Sequence, residues 1–369
     1  MLVWVARMDK HQIVGLVEAL APPRFAASWD NVGLQVGDLA GEARGVLVSV
    51  NPSLAAASYA IARRHNLLVT HHPLLFRPQK SLPTDREPGR TIAKLMGHDI
   101  ALYAAHTNLD ATACNRRIAD LLGWKLDQVL DPAGREPWFK VAIFVPTSQA
   151  EDLARAMWEA GGRVAASDLA SLTHPVEGTF RAKAPAGARS QMQTVAGTKL
   201  EVVARQRDLD DVLAAARRNH PYESPACDVL KLEGDGDAWG IGLFGDLPEP
   251  ATIAAIAARV RTALDPRSMR LVGDATREVR RVAICSGSGS ELCGVAADRG
   301  VELFITGEVR YHTALDARDR GLAILEIGHQ ASEEPVVDFL VGYLRERLPT
   351  TVPIEAFHEA EPFEILSPP

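Results

Sequence analysis

A chain of 369 residues is long enough for more than one hydrophobic core, and 47% hydrophobic with 24% charged residues excludes general disorder. A formal net charge of -7 excludes a strongly basic nucleic-acid surface. No apolar run reaches the length needed to span a bilayer, and the opening Met1 to Arg7 is too short for a signal peptide, so the sequence reads as cytoplasmic.

From the N-terminus, Ile13, Leu16, Val17 and Leu20 recur at helical spacing behind Asp9, a candidate N-cap. Residues 21–38 form a loop in which turn chemistry is the expected role of Asp30 and Asn31, with a direct role at the site assembled below as the alternative, before an extended Val32 to Val36. Gly45 to Val50 reads as a buried strand and 53–65 as a helix. The next strand, from Leu67, ends in adjacent histidines, His71 and His72. Helix 88–98 leads to a third strand ending in His106, with Asp110 just beyond it, and 113–123 is again helical. Strands alternating with helices predict a largely parallel sheet.

After residues 130–137 the character changes. Strands are expected at Phe139 to Val145, Val164 to Ala166, Thr179 to Ala182, Lys199 to Ala204 and within 220–233. Helices are expected at Gln149 to Ala160 and Asp208 to Asn219. Two βαβ-like halves of this kind suggest a ferredoxin-like α+β insert, with 233–237 as its exit linker.

From Ile241 the α/β pattern returns, with helix Ala251 to Leu264 and strand Val282 to Ile284. The Gly/Ser turn at 285–290 either holds an anion on its amides or packs tightly. A further strand ends before Glu308 and is followed by a helix carrying His312. The last expected strand, Leu322 to Ile327, delivers His329 and Glu333. Ser332 is then the N-cap of a helix that turns Val336, Val337, Phe339, Leu340 and Leu344 inward. The expected organisation is therefore a main α/β domain in two sequence halves, 1–135 and 238–369, around a mostly parallel sheet, interrupted by an α+β insert at 136–237.

Three of these junctions place imidazoles and carboxylates just past the carboxyl ends of strands, where open α/β sheets form their ligand crevice. His71, His72, Asp110, His329 and Glu333 make a donor set suited to divalent cations. Glu308 and His312 are candidates to orient a donor or to face a substrate, with surface ion pairing as the competing explanation. The four cysteines show no Cys-x-x-Cys pairing and read as reduced, packed thiols.

With these motifs assembled, the sequence resembles the NIF-three-like dinuclear metal-centre family, whose members are also called GTP cyclohydrolase I type 2 homologues. The segments that carry the resemblance are SWDNVGLQVGD at 28–38, VTHHPLLF at 69–76, AAHTNLDA at 104–111, ITGEVRYH at 305–312 and IGHQASE at 327–333. The inserted segment, with HPYESPACD at 220–228, resembles the PII- or CutA-like insert of longer members. The resemblance implies two divalent ions per subunit held by His71, His72, Asp110, His329 and Glu333, in a toroidal homohexamer built as a trimer of dimers. Ala113 and Cys114 stand where a glycine-rich turn is common, and Asn51 where aspartate is frequent, but no ligand is lost.

Such a pair predicts metal-assisted hydrolysis of a phosphoester, a purine-like C–N bond or an amide, with His106 as a candidate general acid/base or ligand-orienting group. Zn, Fe, Mn, Co and Ni all suit the donors. The competing class is a non-catalytic, metal-dependent regulator or metal-handling scaffold. Nucleic-acid binding is weaker, because the acidic balance predicts poor phosphate affinity.

Overall fold

The computed structural model describes residues 8–163, 171–181, 192–233 and 236–365. The chain divides into two compact units, one made of Met1–Ala133 with Trp239–Pro369 and the other of Gly134–Ala238. In chain order the strands are β1 (Gly33–Val36), β2 (Val46–Ser49), β3 (Leu67–Thr70), β4 (Ala101–Ala104), β5 (Gln128–Glu136), β6 (Trp138–Val145), β7 (Leu172–Arg181) and β8 (Met192–Arg205). They continue as β9 (Cys227–Lys231), β10 (Asp237–Thr252), β11 (Arg270–Val272), β12 (Glu278–Ser288), β13 (Leu303–Glu308), β14 (Ala323–Glu326) and β15 (Ile354–Phe357).

The first unit carries two sheets where the sequence suggested one. One has the order β1-β4-β3-β2-β15 and the other β11-β14-β13-β12-β10-β5. In the first sheet β15, β2, β3 and β4 run parallel, and β1 closes the edge antiparallel. The short runs VLVS, LLVT and ALYA are buried at every position, as parallel strands covered on both faces must be. Val46, Val48, Leu67 and Val69 face helices Lys10–Leu20 and Pro335–Arg347. Leu47, Leu68 and Leu102 face Leu54–Ala62 and Gly89–Met96. The second sheet repeats the arrangement. Its parallel centre β12-β13-β14 packs Val282, Ile284, Leu303 and Ile305 against helix Ile253–Leu264. Ala283, Phe304 and Ile324 pack against Cys293–Asp298.

The helix behind Asp9 forms with a full capping box, in which the Asp9 carboxylate accepts from the Gln12 amide at 2.7 Å while the Gln12 side chain accepts from the Asp9 amide. Residues 130–137, after which the character of the sequence changes, lie largely within β5, whose Asp-Pro-Ala-Gly run disguises a strand, and the division between the two units falls among them. Two expectations are corrected. The strand from Leu322 is not the last, because Ile354–Phe357 returns beside β2. Ser332 is not an N-cap; it lies inside a short helix His329–Glu333 that precedes Pro335–Arg347.

The second unit follows the order β6, helix Ala150–Glu159, β7, β8, helix Leu209–Asn219, β9. Its sheet runs β7-β8-β6-β9 with every neighbouring pair antiparallel. Val141, Ile143, Leu200 and Val202 pack against Leu153, Met157, Val212 and Ala216 of the two helices. The strand expected at Thr179 to Ala182 is the end of the longer β7, while Ala182 and Val164 to Ala166 lie outside the described residues.

Candidate metal centre

Every donor comes from the carboxyl end of a parallel strand in the first unit. β3 hands over His71 and His72, whose amides continue its ladder onto Ser49 and Val50 carbonyls at 3.1 and 2.8 Å. β4 hands over His106, and the chain then passes through a wide π-turn, Asp110–Cys114. From the second sheet, β12 brings Ser286 and Gly287, and β14 leads through Gly328, at φ +91°, into the turn that bears His329 and Glu333. Only a glycine adopts that backbone without strain.

Glu333 is where these groups meet. Its Oε1 lies 3.0 Å from His329 Nε2 and 3.6 Å from His71 Nε2, and its Oε2 lies 3.1 Å from His72 Nε2. Asp110 Oδ1 is 3.7 Å from His71 Nε2 and accepts the Ser286 hydroxyl at 2.9 Å. The rings are fixed from behind. Nδ1 of His71 meets the Ala105 carbonyl at 3.1 Å, Nδ1 of His72 meets Asn51 Oδ1 at 2.8 Å, and Nδ1 of His106 meets Asp30 Oδ1 at 2.9 Å. An oxygen at Nδ1 holds the proton there and leaves Nε2 with a lone pair. His71 Nε2 and Glu333 Oε2 are nevertheless buried without a hydrogen bond of acceptable geometry. A buried polar atom left so is costly, and a cation would satisfy both.

The donor atoms of three sets lie within 4.8 Å of one another: His71, His72 and His106; His71, Asp110 and Cys114; and His72, His329 and Glu333. These groups could hold metal ions, and imidazole with carboxylate is a donor chemistry that divalent cations take. Gly287, at φ +64°, permits the close approach, because a Cβ there would sit 2.5 Å from Glu333 Oε1.

Electrostatics in the metal-free chain follow from this crowding. Burial opposes charge on His71, but Asp110 and Glu333 outweigh it and raise its pKa to about 9. His329 is raised to about 9, first by its hydrogen bond to Glu333 and against the opposing effect of burial. Burial would raise Glu333, yet the three histidines hold it well below the usual carboxylate range. Asp30 is lowered to about 2, because the His106 and Thr107 hydrogen bonds exceed the cost of burial. Cys114 is pushed well up by burial and then by Asp110 and Glu333.

The donors open on a cavity of about 460 Å³ whose mouth carries Trp29 and Phe76, packed edge-to-face at 5.8 Å between centroids. Ser286, Gly287 and Ser288 also line it, and no lysine or arginine is among the described lining residues.

All five expected ligands and His106 are thus brought to one place. Glu308 also reaches it, with Oε1 3.4 Å from His329 Nδ1, whereas His312 packs edge-to-face with Tyr311 and does not line the cavity. The anion reading of 285–290 gives way to packing: the amides of Ser286, Gly287 and Gly289 already donate to Asn115, Ser332 and the Glu308 carbonyl. Asp30 does make the expected turn bond, to the Asn31 amide at 2.8 Å, but it also anchors His106. Asn115 and Ser332 carried no signal as site residues, while Ser286 was legible only as part of the Gly/Ser turn and Asn51 only as standing where aspartate is frequent. Three of the four cysteines are buried as expected, and Cys227 is exposed.

Comparison with known proteins extends these observations. The family model for Duf34/NIF3 (NGG1p interacting factor 3) matches residues 8–362. A Halalkalibacterium halodurans protein named GTP cyclohydrolase 1 type 2 homolog is 31% identical over 96% of this chain and 98% of its own length. A Mycobacterium tuberculosis protein of the same name is 33% identical over 93% of each. Among solved structures, a Bacillus cereus protein related to NIF3 superposes with a TM-score of 0.79 at 32% identity, covering 98% of this chain and 100% of that one.

Proposed function

Because the chain belongs to the Duf34/NIF3 (NGG1p interacting factor 3) family, we propose that it is a dinuclear metal-dependent hydrolase acting on a small molecule. His71, His72, Asp110, His329 and Glu333 hold the two ions. The observation that carries this reading is the convergence of three imidazole Nε2 atoms on the two oxygens of a buried Glu333, with His71 and His72 fixed by an oxygen behind. A pair of divalent cations in such a site would acidify a water and polarise a substrate oxygen.

The chain's own groups complete the chemistry. His106, with Nδ1 held by Asp30, takes a proton from the attacking water or gives one to the leaving group at Nε2. Trp29 and Phe76 shield the mouth from water and orient the substrate. The relatives' name mentions GTP; no lysine or arginine is among the described lining residues, so the cationic partners of any phosphate here would be the metal ions themselves.

The domain reading, 1–135 and 238–369 for the metal-binding part and 136–237 for the insert, is supported by the division at Gly134–Ala238. A ferredoxin-like insert is supported by the βαββαβ order and its antiparallel sheet. A toroidal homohexamer rests on the sequence motifs and is tested by sedimentation of the purified chain.

The test of function begins with metal analysis of protein purified without chelators or affinity-column metals, and continues with a panel of phosphoesters, nucleotides and cyclic amides. Turnover by the wild type that is lost in Glu333→Gln and His106→Gln, with folding intact, supports a hydrolase. Bound metal with no turnover anywhere on the panel supports the regulatory or scaffold reading instead.

A further inference from the structure

We propose that Cys114 is a ligand of one of the two ions, so that the two metal positions are unlike. The inner position is closed by His71, Asp110, Glu333 and Cys114, and the outer is held open by His72, His329 and Glu333. The inference rests on the metal-binding reading above and goes beyond it in dividing the donors and choosing a class of metal.

Two of the close donor sets share no residue: His71 with Asp110 and Cys114, and His72 with His329 and Glu333, each within 4.8 Å. The π-turn makes the first possible, because it brings the side chains of its first and last residues, Asp110 and Cys114, to one side. Such single π-turns recur at functional sites. His71 Nε2 faces that position, buried and without a hydrogen bond, with Glu333 Oε1 3.6 Å away and Asp110 Oδ1 3.7 Å away. Nitrogen, sulfur and two carboxylate oxygens make a four-donor set, which is the closed form of a tetrahedral site.

Access separates the two positions in the same way. Of the inner donors, His71 and Cys114 are each 2% exposed and neither lines the cavity, while Asp110 and Glu333 reach it. His72, His329 and Glu333 all line it, and three protein donors facing open space leave room for a substrate or water. The inner ion is thereby structural and slow to exchange, and the outer one catalytic. Sulfur at the inner position selects zinc or cobalt over manganese or magnesium. As the Sγ–metal bond forms the S–H bond breaks, and one proton per chain leaves to solvent.

Cobalt reports this directly. Metal-free full-length protein loaded with Co²⁺ is expected to show a thiolate-to-cobalt charge-transfer band in the near ultraviolet. The band disappears in Cys114→Ser and Cys114→Ala and persists in Cys285→Ser. A wild-type protein that binds two cobalt ions without the band overturns the assignment of Cys114 while the metal centre stands, and this spectrum decides even if a variant fails to fold. A band lost in Cys285→Ser and kept in Cys114→Ser overturns it as well. A chain that binds no cobalt overturns both this inference and the reading beneath it.

Discussion

On the wall supplied by the first sheet, His71, His72 and His106 each give Nδ1 to an oxygen at 3.1, 2.8 and 2.9 Å, two of them side chains anchored on separate loops. On the wall supplied by the second sheet, among the described residues His329 has only Glu308 behind it, 3.4 Å away, with the two side chains 36% and 55% exposed. The first wall holds its rings in place before any cation arrives, so little ordering remains to oppose binding. The second can adjust as a substrate enters. The two walls meet at one carboxylate, Glu333, whose Oε1 faces a ring from each.

The strongest way to break the comparison is to delete a donor from each wall. His71→Ala leaves Asp110 and Glu333 facing each other without the buried imidazolium of the metal-free chain, and should cost about 3–5 kcal/mol in urea unfolding with chelator present. His329→Ala, on the open wall, should cost visibly less in the same measurement. Equal losses would show that the walls do not differ.

Acidity acts on both walls at once. His71 and His329 keep their protons up to about pH 9 in the metal-free chain, and a ligand ring must give its proton up. Apparent affinity should therefore rise with pH, by up to about tenfold per displaced proton per unit, and level off above about 9. Calorimetry in buffers of different ionisation enthalpy counts the protons released, and a pH-independent affinity would contradict the sign.

The anchors behind the rings sharpen the contrast further. Asn51→Ala frees the His72 ring and should weaken metal affinity about 10–100-fold, read by competition with a coloured chelator, with little change in melting temperature. Glu308→Gln acts on the exposed wall and should change affinity by less than about tenfold, an effect that shrinks as salt is added. If Glu308→Gln proves the more damaging, the assignment of the rigid wall is reversed.

The donors themselves were legible because strand chemistry announces them: LLVT and ALYA are uninterrupted apolar runs, and a histidine directly after such a run lies at a sheet's carboxyl edge. Their anchors were not. Asn51, Asp30 and Ser286 find His72, His106 and Asp110 across 21, 76 and 176 residues of sequence, and an asparagine or serine in a loop looks the same whether or not it meets a ring. Alternation of strands and helices also says nothing about which strands pair, so one sheet was expected where two formed. β5 escaped notice because Pro, Gly and charged residues dilute its apolar pattern, and β15 because it is only four residues long with a glutamate among them.

The pairing of β15 with β2 joins Ile354 to Val46 in parallel register. Helix Pro335–Arg347, which shares the same core, also follows every one of the expected donors along the chain. The wall behind His71 and His72 is therefore completed by residues made later than the groups it steadies.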